Sequence, residues 1–477
     1  MSPLVPLVMF GWIPAVLYLF KRFSAQWAVV SSFIVAWEFL PQASYPLIGL
    51  PDYTKMSATC YGILLATLIY DVGRFQSFKF GWLDLPMLVW CFSPLASSLS
   101  NDLGLYDGLS ASFGQIVQWG IPYFLGRIYL NNWAGLQKLA IGIFIGGLIY
   151  VPLCLYEIRM SPQLHAMVYG FAPTSFLMTI RYGGYRPMVF MRHGLTLGMW
   201  MMAATLIGIW LWRSGLLKKL WGIPMSWLVA VLLITFVLVK STGAYIYLFF
   251  GVAMLFLTRW FRTTFPLLLL VVSISAYLFL GATGNLTGEM KNQLVSFLAD
   301  VTTQERAESL EFRLDNEELL GDKARERPIF GWGGWGRSRV YEYNWAGELV
   351  DISITDSFWI IAFGTNGSIG LISIMAARLL PPACFCLRYP AHSWSNPKVA
   401  PSAVLAMVLT LYVMDGLLNA QPNPVYTVIN GGLSGLILNP VEMRQGGRIR
   451  PSGARRSLPQ KKQLVGTVGE PGGKEEI

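Results

Sequence analysis

Apolar runs recur along almost the whole chain, separated by short polar connections. They fall at 5–20, 25–40, 56–70, 84–98, 109–126, 137–156, 193–212, 222–239, 242–258, 264–281, 354–376, 400–418 and 424–440. A helix needs about 20 apolar residues to cross the hydrocarbon core of a bilayer. The alternation expected of an outer-membrane barrel is absent. The pattern predicts an all-α, polytopic helical membrane protein with about 12–13 transmembrane helices. The last stretch carries Gly431-Gly432 and is expected to be interrupted there.

One polar stretch breaks the rhythm. Gly281 to Asp351 holds eight Lys/Arg and thirteen Asp/Glu. Segments of this length are usually functional or disordered. The chain is therefore divided into an N-terminal transmembrane bundle (1–281) with an outward loop at 157–192, a large extracytoplasmic loop (282–353), C-terminal transmembrane helices (354–440), and a disordered basic cytoplasmic tail (441–477).

Composition agrees: 54% of residues are apolar and only 13% charged, about half the charge of a soluble domain. The net charge of +10 sits on alternate connections, at Lys21/Arg22, Arg74/Lys79, Arg127/Lys138, Arg213/Lys218/Lys219, Arg259/Arg262 and Arg378/Arg388/Lys398, and on the tail. That is the positive-inside pattern, not a nucleic-acid patch. It puts the tail in the cytoplasm, against membrane lipids. The five cysteines are read as apolar packing residues, with Cys384 and Cys386 on a cytoplasmic connection. No cluster has metal-ligand spacing.

Two outward segments break the charge rule, and they hold the candidate chemistry. The 157–192 loop carries Arg159, His165, Arg181, Arg186 and Arg192, with His193 beside it. The insert carries a predicted helix from Thr302 to Glu326. Leu310, Leu314, Leu319 and Leu320 recur on it at helical spacing, and Arg306 and Arg313 share one face. Pro328 stops the helix. The run Phe330-Gly331-Trp332-Gly333-Gly334-Trp335-Gly336 follows, with glycines suited to tight turns. Its tryptophans suit either the membrane interface or a sugar ring. Asp356 stands where the chain re-enters apolar sequence. It is read as a general base or, alternatively, as a helix N-cap. Gly367 and Gly370 permit close approach of a neighbouring helix. Lys240 is a cation on the disfavoured side, binding an anion or snorkelling to the interface. Asp415 and Asn419 are read as functional groups or as helix-packing partners.

These stretches resemble the O-antigen ligase and O-antigen polymerase family. Arg327-Pro328-Ile329-Phe330-Gly331-Trp332-Gly333 resembles its "(N/R)-P-(L/I)-F-G-x-G" element. Asp356-Ser357 with Gly367 and Gly370 resembles its "His-(Asn/Ser)-x9-Gly-x-x-Gly" element. Arg313 resembles the arginine that precedes both, and Ser241-Thr242-Gly243-Ala244 resembles "Ser-Arg-Gly-Ala". The family's His is Asp356 here and its Arg is Thr242, so Lys240 is a candidate for the missing positive charge.

The resemblance implies a GT-C-like fold with one large extracytoplasmic loop carrying short helices. It implies a metal-independent, cofactor-free and inverting glycosyl transfer at the outer face of the bacterial inner membrane. The donor would be an undecaprenyl-pyrophosphate-linked glycan, and the acceptor a glycan or lipid; other polysaccharide assembly proteins are possible partners. Asp356 and Arg313 would then be catalytic. Arg186, Arg192, Lys240, Arg327, Trp332 and Trp335 would bind pyrophosphate or glycan. The alternative is a membrane transporter or export-complex component for a polysaccharide or other anion.

Overall fold

The computed structural model describes residues 2–47, 50–285, 288–301 and 304–439. The predicted basic tail and the side chain of Arg306 lie outside the described residues. The chain is 72% helical.

Helices cover every predicted apolar stretch. In order they are α1 (Leu4–Arg22), α2 (Ala25–Phe39), α3 (Lys55–Tyr70), α4 (Leu85–Ser100), α5 (Leu105–Gln115) and, through a π turn at Ile116–Gly120, α6 (Ile121–Tyr129). Then come α7 (Trp133–Met160), α8 (Gly194–Arg213), α9 (Met225–Leu238), α10 (Thr242–Phe261) and α11 (Phe265–Thr283). The insert contributes α12 (Gly288–Val301) and α13 (Gln304–Arg325), and α14 (Phe358–Arg388), α15 (Ala400–Asp415) and α16 (Pro424–Leu438) complete the chain. Among the described residues, six helices (α1, α7, α8, α10, α11 and α14) are long and apolar enough to cross a membrane. By that measure the chain is a multi-pass helical membrane protein. Large apolar side chains such as Leu7, Phe249, Trp260, Phe279 and Leu387 project from the outside of the bundle, where lipid rather than water suits them.

The predicted break at Gly431-Gly432 does not occur, and α16 runs through it. These glycines serve packing instead. A Cβ at Gly431 would strike the Tyr123 carbonyl, and one at Gly435 would lie 2.6 Å from the Cβ of Asn131. Small residues let helices approach this closely in membranes.

The predicted straight span at 354–376 is also corrected. Gly367 has φ 64° and ψ −165°, which no helix contains. Phe358 and Arg378 are twenty residues apart, which in a straight helix is about 30 Å. Yet the Arg378 guanidinium lies 4.3 Å from the Phe358 ring centroid. The chain therefore folds back at Gly367: a short first arm, 358–366, rests against a long second arm, 368–388. Phe358 packs on Trp90 and Trp119, which lie midway along α4 and along the α5–α6 unit. The first arm thus begins inside the bundle and rises to its end. Gly370 admits this arm, since a Cβ there would meet Asn366 and approach the Ala362 carbonyl at 3.5 Å.

Three residues assigned to connections move with this finding. Arg378 is buried within α14, its guanidinium 4.6 Å from the Trp119 ring and 5.4 Å from that of Tyr412. Cys384 and Cys386 lie in the same helix, Cys386 buried and Cys384 half-buried. A hydropathy pattern read as one straight span ends too early to include them.

Candidate functional site

The insert satisfies the backbone that the fold-back leaves open. At the break, the last carbonyls of the first arm and the first N–H groups of the second have no helical partners. Trp332 N donates to Gly364 O (2.8 Å) and Gly333 N to Thr365 O (3.0 Å). Ser368 N donates to Pro328 O (2.7 Å) and Ile369 N to Ile329 O (3.3 Å). Buried irregular backbone persists only where its polar groups are paired in this way. The two glycine-containing stretches singled out in the sequence are thus one structural unit. Asn101 adds a bond from Nδ2 to Gly331 O (2.8 Å), tying the unit to the end of α4.

That unit holds the chain leading into the first arm, and with it Asp356. Asp356 does not cap a helix. Ser357 occupies the N-cap position of α14, without a capping side-chain bond, and its hydroxyl donates to Glu317 on α13. Asp356 is exposed and opens into a cavity of about 710 Å³ at one end of the bundle.

Four separate stretches bring cations to the same cavity. A hairpin pairs Ile180–Arg181 with Gly184–Tyr185, and Arg186 follows it. The Arg186 guanidinium is buried and donates to Ser241 Oγ (3.2 Å). Gly194 leaves room for it, because a Cβ there would lie 2.6 Å from Arg186 Nε. Arg192 is exposed in the cavity wall. Lys240 occupies the break between α9 and α10 at φ 56°. Its ammonium donates to Arg181 O (3.2 Å). Lys55, at the start of α3, completes this set.

Arg313 enters from the insert. Its Nη1 donates to Leu418 O and to Asn419 Oδ1, both at 3.2 Å. Asn419 Nδ2 in turn donates to Asp415 Oδ1 (2.8 Å). The amide of Asn419 thus bridges a buried carboxyl to the guanidinium. Four residues on from Arg313, Glu317 is buried among hydrogen-bond donors: Ser357, and Tyr277 at 2.6 Å. Burial raises the Glu317 carboxyl above its ordinary range, against the bonds from Ser357, Tyr277 and Trp359 and the charge of Arg313.

His193 precedes α8 and caps it, its Nδ1 accepting from Leu195 N (3.2 Å). Burial, then Arg186 and Arg181, push its pKa down to about 4; Arg192 adds to this and Asp356 opposes it. The ring is neutral at physiological pH.

The cavity does not gather every predicted residue. Arg327, Trp332 and Trp335 lie outside its lining. Trp332 Nε1 donates to Lys323 O (2.7 Å), and its ring is covered by Lys323 Nζ at 3.9 Å and Arg327 at 4.9 Å. Arg327 also reaches Ser100 O (3.2 Å), and Trp335 reaches Asp107 (3.2 Å). Arg327 and Trp335 tie the insert to the facing ends of α4 and α5, and Trp332 packs within the insert. No family model matches the chain, and no curated protein matches it in sequence.

Sequence reasoning does not single out Lys55 or Glu317. Both carried a signal. Lys55 is a cation at the same end of the bundle as Lys240. Glu317 stands in the apolar stripe of α13 with Leu314 and Leu320, where an acid is buried. Among the described residues, no group of three or more His, Cys, Asp or Glu side chains gathers as a metal set would.

Proposed function

We propose that the chain is a glycosyltransferase that moves a glycan from undecaprenyl pyrophosphate to an acceptor hydroxyl at the outer face of a bacterial inner membrane, as a polysaccharide polymerase or an O-antigen-type ligase. One observation carries the reading. Arg186, Arg192, Lys240, Arg313 and Asp356 come from distant parts of the sequence and line one cavity. The positive-inside rule puts the basic connections in the cytoplasm and so turns this cavity outward.

The chemistry follows from the charges. Arginines bind pyrophosphate oxygens in bidentate fashion. The acceptor oxygen attacks the anomeric carbon, and its proton passes to the Asp356 carboxylate. The bond between that carbon and the pyrophosphate oxygen breaks, and the leaving group takes the electron pair. Cations fixed around that oxygen stabilise the developing charge, which is usually the largest catalytic contribution. A single displacement inverts the anomeric centre. Phe33, Ala36, Trp37 and Met56 in the cavity wall suit the prenyl end of a lipid-linked donor.

The broken α14 favours a second reading, because transporters bind substrate at discontinuous helices. Against it, the space below the cavity between Phe358, Arg378 and Tyr412 has no room for a water molecule. Reconstitution separates the two. Closed vesicles containing the protein, an undecaprenyl-pyrophosphate-linked oligosaccharide and an acceptor should release undecaprenyl pyrophosphate as the glycan is transferred. Passage of an unaltered glycan across the membrane, with no pyrophosphate lipid released, sinks the transfer reading.

A further inference from the structure

Acidic residues are missing from a long part of the chain. No Asp or Glu occurs between Glu157 and Glu289, a stretch that contains α8 to α11. Arg181, Arg186, Arg192 and Lys240 within it line the cavity. Arg213, Lys218, Lys219, Arg259 and Arg262 stand at the opposite ends of the same helices, and all five are exposed. None of the five has a carboxylate within ion-pair distance among the described residues. By contrast, Arg74 at that end of the bundle is paired with Asp71 (3.1 Å), Arg127 with Asp84 (2.8 Å), and Lys138 donates to Gln26 Oε1 (2.8 Å).

The five cations are gathered by the packing of two helices. The Arg213 guanidinium at the end of α8 lies 5.6 Å from the Phe256 ring centroid on α10, and Trp210 packs on the same ring at 6.0 Å. The connections that leave α8 and α10 therefore start side by side. The first is a hairpin that pairs Lys219 with Pro224 and Leu220 with Ile223. Trp221 and Gly222 form its two-residue turn, at φ 52° and 79°. Such a turn selects Asn-Gly or Gly-Gly, because both positions are left-handed, and a tryptophan there is strained. The second connection turns from α10 into α11 at Arg262, also left-handed at φ 52°. Strain of this kind persists where it serves a ligand or a switch. Here it holds an exposed indole and an exposed guanidinium, Trp221 being 62% exposed. Trp260 and Phe261, stacked on each other with centroids 6.3 Å apart, stand beside Arg262 and are 82% and 66% exposed. Tryptophan suits the head-group level of a bilayer, and arginine bonds phosphate oxygens in bidentate fashion.

We infer that this corner of the bundle is a binding site for an anionic phospholipid of the adjacent leaflet. The phosphodiester is held by the 219–224 hairpin and the Arg262 turn, and the acyl chains lie along exposed apolar residues of α10 and α11 such as Leu257, Leu269 and Val272. Charge complementarity selects the occupant: cations without acids call for an anion, and head-group phosphate attracts basic segments beside a membrane. The exposed aromatic and aliphatic side chains around them call for a lipid rather than a soluble anion. The site lies at the far end of α8 and α10 from the cavity, and it does not depend on the transfer reaction.

The test is native mass spectrometry of the full chain in a non-ionic detergent, titrated with phosphatidylglycerol or phosphatidylcholine of the same acyl chains. The wild type should prefer phosphatidylglycerol by about 10-fold or more. Each basic residue near a membrane surface contributes about 5-fold, so Lys219→Gln/Arg262→Gln should weaken phosphatidylglycerol binding by about 25-fold and leave phosphatidylcholine unchanged. If that variant does not accumulate, Lys219→Gln alone, on an exposed strand, should show the 5-fold step, about one cation's share. Lys21→Gln/Arg22→Gln is the control. Both residues are exposed at the same end of the bundle, on α1, and their loss should leave the preference nearly intact. Equal losses in the control and the test variant would make the effect one of general surface charge and overturn the site. Trp221→Asn relieves the turn. It should not lower the unfolding temperature without lipid, but it should lose the stabilisation that phosphatidylglycerol gives the wild type. Full stabilisation by the lipid in this variant overturns the assignment. So does a wild type without a preference for phosphatidylglycerol, and so does displacement of the lipid by an equal concentration of glycerol phosphate, which would mark a soluble-anion site.

Discussion

Gly331 and Gly367 stand backbone against backbone, with φ of 72° and 64°. A Cβ on Gly331 would lie 2.6 Å from Gly367 N, and one on Gly367 would run into the Ile329 carbonyl. Left-handed backbone alone costs a non-glycine residue roughly 1–3 kcal/mol, and the clash adds to it. Gly367→Ala should therefore lower the thermal unfolding temperature of the solubilised protein and weaken anion binding in the cavity. Gly334→Ala is the control, since it has nothing within 4 Å and no positive φ. Equal unfolding temperatures for the two variants would show that the contact does not hold the fold-back.

Arg313 hangs from Asn419, which hangs from Asp415. If Arg313 stabilises the leaving group, Arg313→Ala should cut transfer by about 10²- to 10³-fold while the protein still accumulates in the membrane. Asn419→Ala removes only the support. A hydrogen bond to a charged group is worth roughly 1.5–3 kcal/mol, so a loss of about 10- to 150-fold is expected. Transfer rates normalised to membrane-inserted protein decide this, and an Asn419→Ala variant as inactive as Arg313→Ala would make the amide more than a support.

Apolar periodicity made the helices legible, and charge made much of the cavity legible. Lys240, Arg186 and Arg192 stand out in the sequence because cations on the disfavoured face need a reason to be there, and they line one cavity. The fold-back was not legible. A half-helix and a full span have the same hydropathy, and only Gly367 differs. A straight-span reading therefore ends before Arg378 and leaves it in a connection, although aromatic rings surround it inside the bundle. Trp332 misled for another reason. A tryptophan suits a sugar, but here Lys323 and Arg327 cover its ring, and no spacing rule links residues nine and five positions away across a turn.

Asp356 and Glu317 test different parts of the same arrangement. As general base, Asp356 should contribute about 10²- to 10⁴-fold. Asp356→Asn should lose that rate with pyrophosphate affinity unchanged or improved, because a negative charge leaves the cavity. Glu317 touches Ser357 beside Asp356 and acts as a positioning residue. Glu317→Ala should lower kcat with little effect on KM for the donor. Full activity in Asp356→Asn rules out the base role; a KM effect alone in Glu317→Ala rules out positioning.

Orientation is open to chemical labelling. Glu308 and Glu311 on α13 are exposed. A cysteine at either position should react with a membrane-impermeant maleimide applied to spheroplasts from outside. The native cysteines are a low background, four buried and Cys384 half-buried. Protection at both positions until the membrane is opened would reverse the topology and turn the cavity to the cytoplasm.

His193 predicts a pH dependence of defined sign. Its folded-state pKa is pushed down to about 4 from an ordinary value of 6.5. Between those values the unfolded chain binds a proton that the folded chain does not. Stability from this group therefore rises with pH through the window from about 4 to 6.5 and is constant above it. His193→Asn removes the titration and keeps a good N-cap for α8. The unfolding temperature of the wild type, relative to His193→Asn, should fall as pH is lowered from 6.5 toward 4, and the two curves should run parallel above 6.5. Many carboxylates titrate in the same range, so the difference between the variants is the quantity to measure. Curves that stay parallel down to pH 4 would mean that the ring is neither buried nor crowded by Arg186, Arg181 and Arg192 in solution.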